Sequence, residues 1–401
     1  MDKNPQPDII SIPASNIAVT SGGLPPSKSH LIRWLLLASQ GDVCVEINRV
    51  NGAGHDALAM RDALIQMGVE INIKEDTWTV QGVGQNGFQQ PKGGLNFHNS
   101  GTALRLLTIA CSQIGEWISI NGDSTLNTRI NRGFWESLGI DLEFPSNGEN
   151  LPMKIKGPIQ RNTLALDCSK TSQYLSGILL SMPSRSEELL LSIDGDIVSR
   201  RHAELSFSIA AQCGSKNQIG NNRLMPWKCE PPASVEIPPD ASHVAFWKLY
   251  EILHGVSVSL PRVDENDSIG AELLDGLDLQ ERQTIDLGTA NDLITPLAAA
   301  MAIGNGGIIT GVSHARFKES NRIEKTVEML SLFSIDVEST EDGLKIIGNQ
   351  FPSSPQDVVP TFGDHRMQMT AAVLATKVGA QIEGKSLHKV SFPQFIDCIQ
   401  P

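Results

Sequence analysis

The sequence predicts an α/β protein built as two domains, and three observations lead there. A chain of 401 residues with 40% hydrophobic and 19% charged side chains has ordinary globular composition and exceeds what one hydrophobic core serves. One local pattern, a small or polar tight segment followed by a capping or charged residue and then an apolar helical run, occurs six times. Between these runs lie amphipathic stretches that stop at a glycine or polar residue and pass into β-like segments.

In chain order, Ser27-Lys28-Ser29 leads into the apolar run 31–38, Asn99-Ser100-Gly101-Thr102 into 104–111, and Lys170-Thr171-Ser172-Gln173 into 174–180. Asp240-Ala241-Ser242 leads into 244–253, Thr289-Ala290-Asn291-Asp292 into 293–303, and Gly363-Asp364-His365-Arg366 into 367–375. The starts recur at roughly 50 to 75 residues, the size of a small βα unit rather than a solenoid repeat. The amphipathic stretches are 56–67, 129–138 and 321–333, each expected to be helical and each followed by a strand-like segment.

The formal charge of −13 and isoelectric point near 5.2 argue against a nucleic-acid or acidic-membrane partner, because such surfaces are held by clustered Lys and Arg. A small anionic substrate needs only a local basic pocket. The polar start, Met1 to Asp8, has no apolar signal core, and no later stretch approaches about 18 apolar residues, so a soluble, cytoplasmic protein is expected. Six cysteines without a C-x-x-C pair read as reduced thiols, mainly in packed positions.

The helix starts carry the functional meaning. Unpaired backbone N–H groups and the positive end of the helix dipole favour anions, so several buried helices aimed at one point would form a phosphate and carboxylate trap without overall positive charge. Read singly, each start is equally an ordinary N-cap. Four of the six, however, carry Lys or Arg within the next few residues.

Charge is unusual at Lys28 and Arg33, at Arg105, and at Asp364-His365-Arg366, because an arginine on an apolar helix is costly unless it pairs with a carboxylate or phosphate. In 316–322, Lys318 and Arg322 lie four residues apart and would share one helical face, with Glu319 adjacent. That cluster also fits a solvated helix start, and Asp292 also fits a helix N-cap. The Walker, Rossmann, zincin and nucleophile-elbow motifs are absent. The nine histidines fall at no metal-ligand spacing, with His30, His98, His243 and His388 read as structural or exposed. No metal and no organic cofactor are expected.

In order and interval, four segments resemble the 5-enolpyruvylshikimate-3-phosphate synthase family, which is similar in fold to the UDP-N-acetylglucosamine enolpyruvyl transferases. They are Ser27-Lys28-Ser29 with Arg33, the run Asn99 to Arg105, Lys318-Glu319-Ser320-Asn321-Arg322, and Asp364-His365-Arg366-Met367. The resemblance extends from Pro25 to Pro393. It implies a two-domain enolpyruvyl transferase fold: six repeated βα units in two pseudo-threefold domains, with the active site in an interdomain cleft. The expected domains are 1–24 with 238–401, and 25–237.

Carried over residue by residue, the resemblance implies that Lys28, Gly101, Arg129, Gln173, Arg322 and Arg366 contact phosphoenolpyruvate. It implies that Lys28, Ser29, Arg33, Thr171, Ser172, Gln173, Ser199, Asp292 and Lys318 hold shikimate-3-phosphate. Asp292 is the implied base toward the acceptor hydroxyl, and Glu319 with Lys318 the implied proton shuttle, with Lys28 also counted as catalytic. His365 is read as bracing Asp364 and Arg366. Gly101 is small where the family's phosphoenolpyruvate pocket admits glyphosate, so sensitivity to glyphosate is expected. The protein is expected to act as a monomer on these two small substrates.

Four positions depart from the family pattern: Pro26 for Gly, Ile130 for Pro, His202 for Tyr and His314 for Asn. The last two adjoin the acceptor, so an enolpyruvyl transferase with a different hydroxylated acceptor stays open, as does a degenerate binding protein. Lys389 stands one residue from a family lysine, with Val390 in the aligned place. Lys28-Ser29, where the cell-wall branch carries Lys-Asn, and the lack of a cysteine in 122–129 argue against that branch.

Overall fold

The protein is described from a computed structural model covering residues 8–263 and 269–400. Most of the polar N-terminal start, residues 1–7, lies outside the described residues. The chain divides into two compact units, 26–238 and 1–25 with 239–401, and each encloses its own hydrophobic cluster.

The 26–238 unit contains helices α1 (Lys28–Gln40), α2 (His55–Gln66), α3 (Gly101–Cys111), α4 (Ser124–Thr128), α5 (Arg132–Ser137), α6 (Gln173–Ser181) and α7 (Arg200–Gln212). Around them lie three small sheets. The first orders its strands Ser234–Glu236, Cys44–Asn48, Thr77–Gln81, Glu70–Ile73, and only the first pair is parallel. The second orders Leu95–Asn96, Ile118–Asn121, Met153–Lys156, Asp141–Glu143 with the same pairing. In the third, Leu189–Asp194 runs parallel to Thr163–Asp167 and antiparallel to Arg223–Leu224.

Period-2 patterning decides the inner faces. Val45 stands opposite Val80 and Ile47 opposite Trp78, and all four are buried while Glu46 and Cys44 point outward. Helices α3 and α6 each connect the two parallel strands of a sheet, as a βαβ crossover requires. With α1 they pack on one another at the centre of the unit. Their near-continuous apolar sequences suit burial on all sides. A Cβ on Gly177 of α6 would stand 2.5 Å from Ile109 Cδ1 and 3.3 Å from the Arg105 carbonyl, so glycine sets how closely α3 and α6 approach.

The other unit contains α8 (Val244–His254), α9 (Ala271–Asp275), α10 (Ile294–Ile303), α11 (Arg322–Leu332), α12 (His365–Val378) and α13 (Phe395–Ile399). Its four-stranded sheet, Gln283–Asp286, Gly307–Thr310, Leu344–Ile346, Val337–Ser339, repeats the parallel–antiparallel–antiparallel order of the second sheet above. Ile9–Ile12 pairs antiparallel with Ala380–Glu383, which also bridges in parallel to Val359. Helices α8, α10 and α12 pack on one another. Pro296 falls in the first turn of α10, where no intrahelical hydrogen bond needs its missing N–H.

All six repeated starts thus open buried helices. The amphipathic stretches differ in one place: no helix runs through 129–138. Helix α4 ends at Thr128, Arg129 follows it, and α5 begins only at Arg132. Asn131 interrupts the helix because its side chain accepts a hydrogen bond from Phe134 N at 3.3 Å, acting as an N-cap. The six cysteines are free thiols. Among the described residues no helix is long and apolar enough to cross a membrane.

Candidate active site

In the 26–238 unit the helix starts gather polar side chains near the first turns of α1, α3 and α6. Lys28, the first residue of α1, pairs with Asp56 of α2 at 2.9 Å, and both side chains are largely covered. Arg33, one turn on and 1% exposed, donates from Nε to Ser206 Oγ at 2.7 Å, and from its two terminal nitrogens to the carbonyls of Ser29 at 2.8 Å and His202 at 3.0 Å. Burial lowers its pKa to about 10, which leaves it cationic at neutral pH. Those bonds tie α1 to α7 and direct Arg33 into protein.

Ser100 caps α3 by accepting from Ala103 N at 3.3 Å. Arg105 donates to Gln173 Oε1 at 2.5 Å and to the Arg129 carbonyl at 2.9 Å. Gln173 in turn donates to Thr102 Oγ1 at 2.9 Å. Arg129 donates to the Asn99 carbonyl at 2.8 Å and the Thr125 carbonyl at 3.1 Å. A Cβ on Gly101 would lie 2.8 Å from Arg105 Nη1 and 3.1 Å from Arg129 Nη1, so Gly101, Arg105, Arg129 and Gln173 form one cluster. Thr171 accepts from Gln173 N at 3.2 Å, and Ser172 donates to the carbonyl of Ser199 at 3.3 Å. Ser199 holds a left-handed φ of 50° at the start of α7. That conformation is uncommon for a side-chain-bearing residue.

In the other unit a second cluster surrounds Arg322. This guanidinium, 1% exposed, meets three carboxylates: Asp292 at 2.5 Å, Asp364 at 2.7 Å and Glu319 at 2.8 Å. Burial works to lower its pKa, but the charges of Asp364, Glu319 and Asp292 outweigh it and hold the group well above its ordinary value. Asp364, fully buried, also accepts from Ser320 Oγ at 3.1 Å and caps α12 by accepting from Arg366 N at 2.9 Å. Arg366 reaches Asp292 at 3.3 Å and Ser242 Oγ at 2.9 Å. Ser242 donates to Asp240 Oδ1 at 2.6 Å. Burial pushes the Asp240 carboxyl up, yet His243 and Arg366 prevail and hold it below the usual carboxylate range.

Two local expectations change here. Lys318 and Arg322 do not share a helical face: 313–317 is a 3-10 turn, Lys318 is extended beyond it, and α11 begins at Arg322 with Asn321 as cap. Ser320 and Asn321 bond to Asp364 and Glu324 N and so support a non-helical turn. Asp292 is not a side-chain N-cap either, since it sits inside the 3-10 turn Asn291–Leu293 and gives its carboxylate to Arg322 and Arg366.

His314 lies on the 3-10 turn before Lys318 and is 2% exposed. Burial first, and the Lys318 charge second, lower its pKa to about 4 against the opposing pull of Asp292 and Asp342, so the ring is neutral at pH 7. His243 and His388 are buried with partners, Ser391 and Gln368 respectively. Lys389 is exposed, beside buried Val390. Among the described residues no group of three His, Cys, Asp or Glu side chains is placed to hold a metal ion.

Three participants escaped the sequence reading of the site: Asp56, Asp240 and Ser242. For Asp240-Ala241-Ser242 the signal was present, since this helix start had been singled out, but nothing local says that its serine meets an arginine 124 residues away.

The chain resembles known proteins along nearly its whole length. Residues 21–275 and 264–399 match the family described as EPSP synthase (3-phosphoshikimate 1-carboxyvinyltransferase). A 3-phosphoshikimate 1-carboxyvinyltransferase from Methanocorpusculum labreanum is 29% identical over 404 residues, covering 94% of each chain. The structure of EPSP synthase from Acinetobacter baumannii superposes with a TM-score of 0.75 at 23% identity, covering 97% of each chain. The enolpyruvyl transferase NikO from Streptomyces tendae gives 0.69 at 14% identity, covering 98% of this chain and 97% of that one, which extends the likeness of fold to a second transferase. With its motifs, two-unit architecture and nearly full-length match in accord, the chain belongs to the EPSP synthase family.

Proposed function

We propose that this protein transfers the enolpyruvyl group of phosphoenolpyruvate to the 5-hydroxyl of shikimate-3-phosphate and releases phosphate, a step toward chorismate and the aromatic amino acids. The observation that carries this reading is Asp292 held between two buried arginines, Arg322 and Arg366, with Glu319 on the same guanidinium. Such a cluster offers fixed cations for a phosphate or carboxylate beside carboxylates able to move protons. Both substrates carry the matching anions.

In the addition step the acceptor oxygen bonds to C2 of phosphoenolpyruvate, its proton passes to Asp292, and C3 takes a proton from the Glu319–Lys318 pair to become a methyl group. In the elimination step C3 gives up a proton to the Glu319–Lys318 pair, the C2=C3 bond reforms, and phosphate leaves with the C2–O electron pair. Lys28, Arg129, Arg322 and Arg366 bind the phosphoenolpyruvate anions, with Gln173 and Gly101 shaping that pocket. Lys28, Ser29, Thr171, Ser172, Gln173, Ser199, Asp292 and Lys318 hold the acceptor. Arg33 belongs with them, and its contacts with Ser206 and with the carbonyls of Ser29 and His202 also set the position of Ser29. The protein is taken to act as a cytoplasmic monomer.

A second acceptor is favoured by one observation, the neutral, buried His314 four residues before Lys318. An imidazole there presents a different shape and donor pattern from the family's asparagine. The experiment is phosphate release from phosphoenolpyruvate with shikimate-3-phosphate, without added metal, with mass-spectrometric detection of the enolpyruvyl ether and Lys28→Ala as control. Ether formation by the wild type and its loss in the variant are expected. Binding of phosphoenolpyruvate without turnover would transfer the assignment to another acceptor, and binding of neither substrate would overturn the enzymatic reading.

A further inference from the structure

Each of the three nitrogens of the Arg322 guanidinium meets a carboxylate of its own unit. Asp364, which takes Nε, is fully buried and caps α12, so it is part of the framework. Nη1 goes to Asp292, whose side chain is 29% exposed, and Nη2 to Glu319, at 14%, with Asp364 Oδ1 a second, longer partner of Nη2 at 3.3 Å. These two outer carboxylates stand at the open side of a guanidinium that is itself 1% exposed. The side of Arg322 nearer solvent is thus the side that Asp292 and Glu319 occupy. Lys28 in the other unit shows the same pattern, with Asp56 at 2.9 Å.

We propose that Asp292 and Glu319 are resident anions of Arg322 that give way to an oxyanion of the incoming substrate, so that substrate binding and release of these carboxylates are one exchange. The proposal rests on the enolpyruvyl-transfer reading for the identity of the substrate, but not for the exchange itself. Two physical consequences follow. The terminal nitrogens of a buried guanidinium keep partners before substrate arrives, which avoids the penalty of unsatisfied buried donors. Asp292, once it leaves Arg322, loses a cation that stabilises its ionised form and becomes the stronger base that proton abstraction from a hydroxyl requires.

The exchange makes an unusual demand: removing a catalytic carboxylate strengthens anion binding. Inorganic phosphate and, separately, pyruvate are titrated into the full-length protein at fixed ionic strength, with the rise in Tm as readout. Asp292→Asn and Glu319→Gln are each compared with the parent in a Lys28→Ala background, which removes the cation of the other unit. Circular dichroism selects folded variants. About tenfold tighter binding of one of the two anions is expected in at least one variant, and the gain should disappear when Arg322→Lys is added. The anion that shows the gain, phosphate or carboxylate, identifies the end of the substrate that takes Arg322. Equal or weaker affinity for both anions in both folded variants overturns the exchange, as does binding in none of the proteins. Absence of turnover in the wild type would instead defeat the functional reading, and the order of affinities would still decide this one.

Discussion

Replacing Gly101 by alanine probes the cluster of Arg105, Arg129 and Gln173 at the start of α3. Gly101 is the first residue of that helix and has no left-handed φ, so the backbone accepts alanine and gains up to about 1 kcal/mol of helix preference. The added Cβ would stand 2.8 Å from Arg105 Nη1 and 3.1 Å from Arg129 Nη1, where ordinary contact begins at 3.4 Å. The Arg105 head must therefore retreat by about 0.6 Å and Arg129 by about 0.3 Å, toward groups they already touch. Arg105 also donates to the Arg129 carbonyl, so the two guanidinium groups shift together.

Weakening one charge-assisted hydrogen bond to the bound anion costs about 1.5–3 kcal/mol, or about 10- to 100-fold in affinity. The assay is steady-state kinetics with each substrate varied against saturating amounts of the other, together with thermal denaturation. The phosphoenolpyruvate KM should rise by at least about tenfold and the acceptor KM stay within about twofold, with Tm unchanged or higher. Inhibition by glyphosate should weaken in parallel. An unchanged phosphoenolpyruvate KM with unchanged inhibition would refute the steric argument, and a fall in Tm would show that the backbone does not accept alanine as described.

Asp364→Ala removes the buried partner of Arg322 and the cap of α12 together, so its cost should be about 3–5 kcal/mol for the ion pair and about 1 kcal/mol for the cap. Urea denaturation followed by circular dichroism would read this, and a loss below about 1 kcal/mol would contradict the packing described. Gly177→Ala should destabilise the 26–238 unit by about 1–3 kcal/mol through overpacking against Ile109 Cδ1. Adding Ile109→Val, which deletes that carbon, should recover much of the loss in a double-mutant cycle.

His314 should leave a signature in acid. Its pKa in the fold is about 4 against an ordinary 6.5, so the folded state binds fewer protons than the unfolded chain between these values. The stability from keeping the ring neutral is fully present above pH 6.5 and is lost as pH falls through the folded value near 4. The loss amounts to at most about 3 kcal/mol. His314→Asn should flatten that part of the stability–pH curve, and a curve superimposable on the wild type would remove His314 as its source.

Much of this molecule was legible along the chain because the relevant physics is local. Six polar starts followed by apolar runs marked the six buried helices α1, α3, α6, α8, α10 and α12, since an all-round apolar helix has nowhere to go but the interior. The strand-like segments after the amphipathic stretches marked the strands Glu70–Ile73, Asp141–Glu143 and Val337–Ser339. The residue types needed for anion binding and proton transfer were visible in the same motifs.

The tertiary structure decided which groups answer one another, because charge pairing and steric fit depend on distance in space. Arg33 and Arg322 look alike as arginines near the start of buried helices, yet one turns to serine and backbone carbonyls and the other to three carboxylates. Asp56, Asp240 and Ser242 enter only through contacts that span up to 124 residues. Lys318 and Arg322 lost their expected common face because Ser320 and Asn321 could satisfy side-chain hydrogen bonds in a turn, a competition settled by the nearby Asp364 carboxylate. Local sequence thus determined the elements and the chemical groups, while long-range packing determined their partners, since a buried charge takes its state from whatever the fold places beside it.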